Sequence, residues 1–179
     1  MDYHTPMEKQ QVIHTIPPVY DTQSRVLVLG SMPSPASRAA AFYYGHPQNR
    51  FWRVMERLYG LPDHELAQND ARRAFLLDTG IALWDVLASC SIEGAADASI
   101  SDPVPNDLTP VLDAAPIRAV FTTGGTATRL CRRFNGRLLA ARGIEHMGLP
   151  STSPANARIR LPELVEAYRP IAEAAKMGQ

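Results

Sequence analysis

Apolar positions along this chain fall into short runs separated by polar, glycine- and proline-rich stretches, and their period changes from run to run. Val26-Leu27-Val28-Leu29 contains no polar side chain and stops at Gly30, the pattern of a strand buried on both faces in a parallel sheet. Ile81 to Leu87, Ile117 to Thr122 and Ile144 to Leu149 read as further strands. Between them the spacing becomes helical. Phe51, Trp52, Met55, Leu58 and Tyr59 share one helix face, with Asn49 as a cap. Glu65 to Leu77 has the same spacing, Asp107 to Ala114 is a short helix capped near Asn106, and Thr126 to Phe134 follows the Gly124-Gly125 turn. Pro162 to Lys176 is a last helix with its proline in the first turn, where the ring is tolerated. Strands alternating with helices predict an α/β fold, a three-layer αβα sandwich around a central, mostly parallel four-stranded sheet. Residues 25–179 form one domain in this reading. Residues 1–24 form an N-terminal arm, with Thr15 to Gln23 as a tail.

The most informative stretch runs from Gly30 to Tyr59, where a strand end, an aromatic loop and a helix start follow one another without interruption. Open α/β sheets bind ligands at the C-terminal edge of their strands. Phe42, Tyr43 and Tyr44 are too many rings for a solvated connection, so at least one is expected to face a flat ligand. Asn49 would sit at the mouth of the following helix, as an ordinary cap or as a ligand contact. Three other strand ends lead into polar residues able to line the same edge: Trp84-Asp85, Thr122-Thr123-Gly124 and Ser151. Asp85 reads as a buried turn acid rather than a catalytic group.

Composition narrows the chemistry. With 179 residues and 45% hydrophobic content the chain can bury a core, and no segment approaches the roughly 20 apolar residues that span a membrane. Residues 1–24 lack a charged start followed by an apolar stretch, so no secretory signal is expected and the protein is placed in the cytoplasm. Two cysteines, Cys90 and Cys131, cannot supply the about four thiolates of an iron–sulfur cluster; no metal and no cofactor are expected, and both thiols read as core. The net charge of zero points to modest affinity if the partner is a nucleic acid. Arg129, Arg132, Arg133, Arg137 and Arg142 cluster after the third strand, and Arg50 and Arg53 open the helix beyond the candidate pocket. Either set is a candidate for phosphates or an ordinary solvated face.

Two motifs carry a family resemblance. Gly30-Ser31-Met32-Pro33-Ser34, followed by Tyr44, His46-Pro47 and Asn49-Arg50-Phe51-Trp52, resembles the first motif of the uracil-DNA glycosylase superfamily. Leu149-Pro150-Ser151-Thr152-Ser153-Pro154-Ala155-Asn156-Ala157-Arg158 resembles its second, a loop that enters the minor groove. Leu164 to Arg169 resembles the last helix of the mismatch-specific branch. The two motifs bracket most of the chain. Met32 departs from the superfamily, occupying the place of the Asn or Asp that positions the attacking water in most relatives, and a thioether is a poor substitute. The combination as a whole is most similar to the hypoxanthine-DNA glycosylase family, which removes deaminated adenine.

That resemblance implies a site. Asn49 is the catalytic candidate, holding water through its oxygen or hydrogen-bonding the purine edge. Gly30, Ser31, Met32, Tyr44 and Thr123 would surround the base, with Tyr44 stacking on it after extrusion from the duplex. Ser151, Thr152, Ser153 and Pro154 would meet phosphates, Ala155-Asn156-Ala157 would enter the vacated gap, and Arg158 would anchor the backbone. Thr122-Thr123 stands where many uracil-specific relatives carry an Asn. His46 is expected to hold the first loop, His146 to lie inside a strand, and His4, His14 and His64 to lie at the surface. Neither motif contains a lysine for a Schiff base, which argues against a coupled lyase. The leading expectation is therefore a monomeric, monofunctional hypoxanthine glycosylase acting on DNA that contains a deaminated base. A uracil or mismatch glycosylase and a non-catalytic damage-binding protein are the alternatives.

Overall fold

A computed structural model describes residues 8–176. In chain order these form β1 (Gln10–Ile13), β2 (Val26–Gly30), α1 (Pro35–Ala40), α2 (Phe51–Leu58), α3 (Asn69–Thr79), β3 (Ile81–Asp85), β4 (Leu87–Ile92), a 3-10 turn (Asp97–Ser99), β5 (Ser101–Pro105), α4 (Thr109–Ala114), β6 (Ala119–Thr123), α5 (Gly125–Ala141), β7 (Glu145–Leu149) and α6 (Leu161–Lys176). The central sheet has the order β3-β2-β6-β7, and all its pairings are parallel. Every residue of β2 is buried, as expected of a strand covered on both faces. Its side chains alternate between two cores. Val26 and Val28 join Phe51, Met55, Leu76 and Tyr168 beneath α2, α3 and α6. Leu27 and Leu29 join Val111, Leu130 and Leu139 on the opposite face, beneath α4 and α5. This is the expected three-layer sandwich.

A second, antiparallel sheet of order β1-β4-β5 joins that opposite layer, and it corrects the expected arm. β1 pairs with β4, setting Val12 against Cys90, and Val12, Ile16 and Val19 are buried. Val19 and Leu83 exchange backbone hydrogen bonds of 2.9 Å in both directions. The Tyr43 hydroxyl donates to the carbonyls of Ile16 (3.1 Å) and Pro17 (2.9 Å). Single apolar residues spaced among polar and proline residues carry too little local signal to mark a packed segment; their burial depends on partners some 70 residues away. The rest of the expected arm, with His4, lies outside the described residues.

Other boundaries shift for local reasons. The strand expected over Ile81 to Leu87 ends at Asp85, and a new strand starts at Leu87. Asn106 is not a helix cap; its amide bridges the carbonyls of Asp85 (2.9 Å) and Leu87 (3.0 Å) across that break. Asp107 instead accepts from the Thr109 N–H at 3.0 Å. The helix expected from Glu65 begins at Asn69, and the one expected to stop at Phe134 continues to Ala141. Cys90 and Cys131 are both buried and free, and burial pushes the Cys131 thiol up to about 11. Among the described residues no helix is long and apolar enough to cross a membrane.

Because all four central strands run the same way, their C-terminal ends emerge at one edge. The chain passes from β2 to β3 on one side and later to β6 on the other. That change of direction beside β2 opens a crevice at the edge, where ligands bind in folds of this kind.

Candidate active site

The crevice is a cavity of about 650 Å³, within the roughly 300–1,000 Å³ of small-molecule sites. Its walls come from four strand ends. Gly30 ends β2 with Ser31 and Met32 following it, Asp85 ends β3, Thr123 ends β6, and Ser151 to Asn156 follow β7. Tyr44 and Asn49 enter from the loop before α2. The structure thus gathers the residues of both sequence motifs around one space. Of the residues given a contact with the base or the DNA, Ala157 and Arg158 are exposed and do not line the cavity.

Tyr44 is the aromatic wall. Its ring stacks on Phe51, with centroids 4.0 Å apart and planes at 12°, so a flat ligand can stack only on the opposite face. Its hydroxyl is 2.9 Å from the Thr123 hydroxyl. Burial, then the neighbouring charge of Asp85, holds the phenol far above its usual range, so it stays a neutral hydroxyl. The backbone has φ of +53° at Tyr44, a left-handed conformation that bulky residues rarely adopt, and such strain concentrates at binding sites. Gly30 makes the floor. A Cβ there would sit 2.4 Å from Asp85 Oδ1 and 3.3 Å from the Tyr44 hydroxyl, so only glycine lets the two groups converge. Thr123 faces the cavity, whereas alternation along β6 turns Thr122 away, toward Thr128 and His146, each at 2.8 Å.

Asn49 joins the two motifs. Its Oδ1 accepts from the Phe51 N–H and from the Thr152 hydroxyl, both at 2.9 Å. These two donors settle which end of the amide is oxygen and occupy both of its lone pairs. The Nδ2 group has no acceptor among the described residues. The N-cap position is Arg50 rather than the expected Asn49; Asn49 lies one residue earlier, tethers the first helical N–H, and presents a donor to the cavity. Thr152 spends its proton on Asn49, which removes that hydroxyl from the expected phosphate contacts.

Arg50 is also reassigned. Its guanidinium donates to the carbonyls of Ser153 (3.1 Å), Asn156 (2.9 Å) and Ile159, and its backbone N–H to that of Thr152 (3.1 Å). It is a brace for the second loop rather than a phosphate contact. Ser151 and Ser153 accept from the backbone N–H groups of Ser153 and Ala155, leaving their own protons available. His46 accepts from the Gln48 N–H at 3.0 Å, in keeping with a loop-holding role.

Two acids complete the cavity. Asp85 is 4% exposed, and its Oδ2 lies 2.8 Å from His14 Nε2, with both side chains nearly inaccessible. His14 was expected at the surface; β1 carries it inside. Asp97, from the 3-10 turn, accepts from the Ser31 hydroxyl at 2.9 Å, and the surrounding protein, with Asp85 contributing, raises its carboxyl above the usual range. Placement of Asp85 at a strand end was the one signal for it in the sequence. Asp97 and His14 carried none, since both depend on the unforeseen second sheet. No cluster of three metal-binding side chains occurs among the described residues.

Comparison with known proteins agrees with this geometry. The model of the Uracil DNA glycosylase superfamily matches residues 17–172, a span that begins after His14. A "Hypoxanthine DNA glycosylase" of Methanosarcina acetivorans is 34% identical over 149 residues, covering 79% of this chain and 87% of that protein. One of the same description from Methanosarcina barkeri is 34% identical over 150 residues, with the same coverage. A solution NMR structure of a Methanosarcina acetivorans protein described as a uracil DNA glycosylase candidate superposes with a TM-score of 0.71 at 33% identity, covering 88% of this chain and 96% of that one.

Proposed function

Because the chain belongs to the uracil DNA glycosylase superfamily, we propose that it is a monofunctional DNA glycosylase that extrudes and hydrolytically removes a deaminated base, hypoxanthine first, acting as a monomer in the cytoplasm. The observation that carries this reading is the locked amide of Asn49. With its oxygen held by Phe51 and Thr152, its N–H groups are left for a ligand in the cavity.

Cleavage of an N-glycosidic bond leaves positive character on the sugar and negative charge on the departing base. A fixed donor aimed at the base is worth most when that charge develops, because neither side chain nor solvent must reorganise. Asn49 Nδ2 is such a donor. The base stacks on the free face of Tyr44, and water attacks the anomeric carbon as the bond breaks, giving the free base and an abasic sugar. The seryl hydroxyls of the second loop hold phosphates beside the extruded nucleotide. Among the described residues no lysine lines the cavity, so no Schiff base forms and the strand is left uncut. A weak inosine pair lowers the cost of extrusion.

The test is base release from duplexes carrying a single hypoxanthine, uracil, xanthine or thymine mismatch, with abasic sites revealed by alkali. Hypoxanthine release is expected, falling about 100- to 1,000-fold in Asn49→Ala, as when one preorganised donor is removed. Faster release of uracil would replace hypoxanthine as the substrate. Binding without release from any duplex would make the protein a damage sensor.

A further inference from the structure

Asp85 is the least explained group in the cavity. It is a carboxylate shielded from bulk solvent, with one oxygen paired and the other not. Oδ2 is held by His14. Oδ1 has no hydrogen-bond partner among the described residues and stands over Gly30 on the cavity floor, at the position from which a Cβ is excluded. An acceptor oxygen left open to the cavity is completed by water until a ligand donor takes that place. The pair is built from both sheets, Asp85 from the end of β3 and His14 from just beyond β1. The backbone fixes His14 as well, its N–H donating to the Ala88 carbonyl at 2.8 Å. The carboxylate therefore has little freedom to turn.

We infer that the His14–Asp85 pair is the specificity element of the pocket, with Asp85 Oδ1 accepting the ring N–H that a base acquires on deamination and His14 acting as the positioning residue that aims it. This inference rests on the cavity being a base pocket. Deamination of adenine exchanges the 6-amino donor for an oxo acceptor and puts a proton on the adjacent ring nitrogen; cytosine to uracil makes the same exchange. A fixed acceptor faces a donor in the deaminated base and a lone pair in the normal one. Discrimination of this kind is strong because the mismatched base leaves two buried polar groups unpaired. The imidazole N–H on Oδ2 draws charge away from the carboxylate, so the acceptor opposes less the negative charge that the departing base gains. Guanine also carries a ring N–H, and its rejection falls to the strength of its own pair rather than to Asp85.

The test uses two duplexes, one with hypoxanthine and one with the 1-deaza analogue, in which a C–H replaces the ring N–H. Release is measured for each, and binding is measured on 2′-fluoro versions that resist cleavage. The intact protein is expected to favour hypoxanthine by about tenfold to a hundredfold, the range for a hydrogen bond to a charged group. Asp85→Ala should bring that ratio to within about twofold, and Asp85→Asn, which keeps a neutral acceptor, should give an intermediate value. His14→Ala should lower the ratio, and His14→Gln, which restores an N–H donor, should recover it; a residue needed only for folding would change stability and leave the ratio alone. A ratio near one in the intact protein overturns the inference whatever the variants do, and so does an unchanged ratio in Asp85→Ala. Discriminating binding without base release would refute the glycosylase reading and leave this inference standing. Release without discrimination would do the reverse.

Discussion

The Asn49 side of the cavity and the Asp85 side are built by one device with opposite polarity. On the first, two donors saturate an amide oxygen and leave N–H groups free. On the second, a histidine occupies one carboxylate oxygen and leaves the other free. Each functional group is immobilised through the atom it does not present. The difference lies in where the support comes from. Asn49 is held by the first N–H of the helix that follows it and by the second motif, whereas Asp85 is held by a residue ahead of both motifs, just beyond a strand of the second sheet. One wall is thus local to the motif framework, and the other depends on the whole tertiary structure.

The sharpest way to break this comparison is Asn49→Asp. A carboxylate can still accept from Phe51 and Thr152, so α2 should start normally, but the free donor becomes an acceptor. Base release is expected to fall at least as far as in Asn49→Ala, beyond about 100-fold; retained or increased release would mean that the residue works through its oxygen, on water. Gly30→Ala acts on the other wall. The added Cβ collides with Asp85 Oδ1 and forces it from its place. A loss of about tenfold or more in release is expected, together with the about 1–3 kcal/mol cost of overpacking, read from the urea midpoint. Thr152→Val is milder. It removes one of the two donors on Asn49, so release should fall by several-fold to about tenfold and stability by about 1 kcal/mol; an unchanged rate would show that the Phe51 N–H alone is enough.

The smallest effect is a control on the back of the sheet. Burial, and then the charge of Arg132, lower the pKa of His146 below its ordinary value. The stability this neutral imidazole contributes is complete above its unfolded value near 6.5 and is lost as pH falls through the lower folded value. His146→Asn should therefore flatten the acid limb of a urea-midpoint profile below that pH while leaving base preference unchanged, since His146 does not line the cavity.

The succession of central strands and helices was legible because β2 and most of β3 and β6 are apolar runs and the helices between them carry apolar stripes, although β7 itself is mostly polar and exposed. Boundaries slipped where a cap or break depends on distant groups, as at Val86, where the Asn106 amide ties the two sides together. The motif residues at the cavity were legible as a set, except that Ala157 and Arg158 stand clear of it. Their individual roles were harder to read. Arg50 looked like a free cation beside a pocket and proved to be spent on three carbonyls, and the Thr152 hydroxyl proved to be spent on Asn49. Hydrogen-bond partners more than 100 residues away decide such roles, and nothing in the local sequence encodes them.

By itself, then, the sequence determined the parallel sheet, the edge at which its loops meet, and most of the loop residues that line the cavity there, because periodicity and turn composition act over short stretches of chain. Only the tertiary structure decided which atom of each residue remains free to act. It brought β1 against β4, carried His14 to Asp85, and turned a sparse N-terminal segment into a support for the pocket. The physical reason is that a buried polar group is defined by what it is already bonded to, and those bonds are made across the fold rather than along the chain.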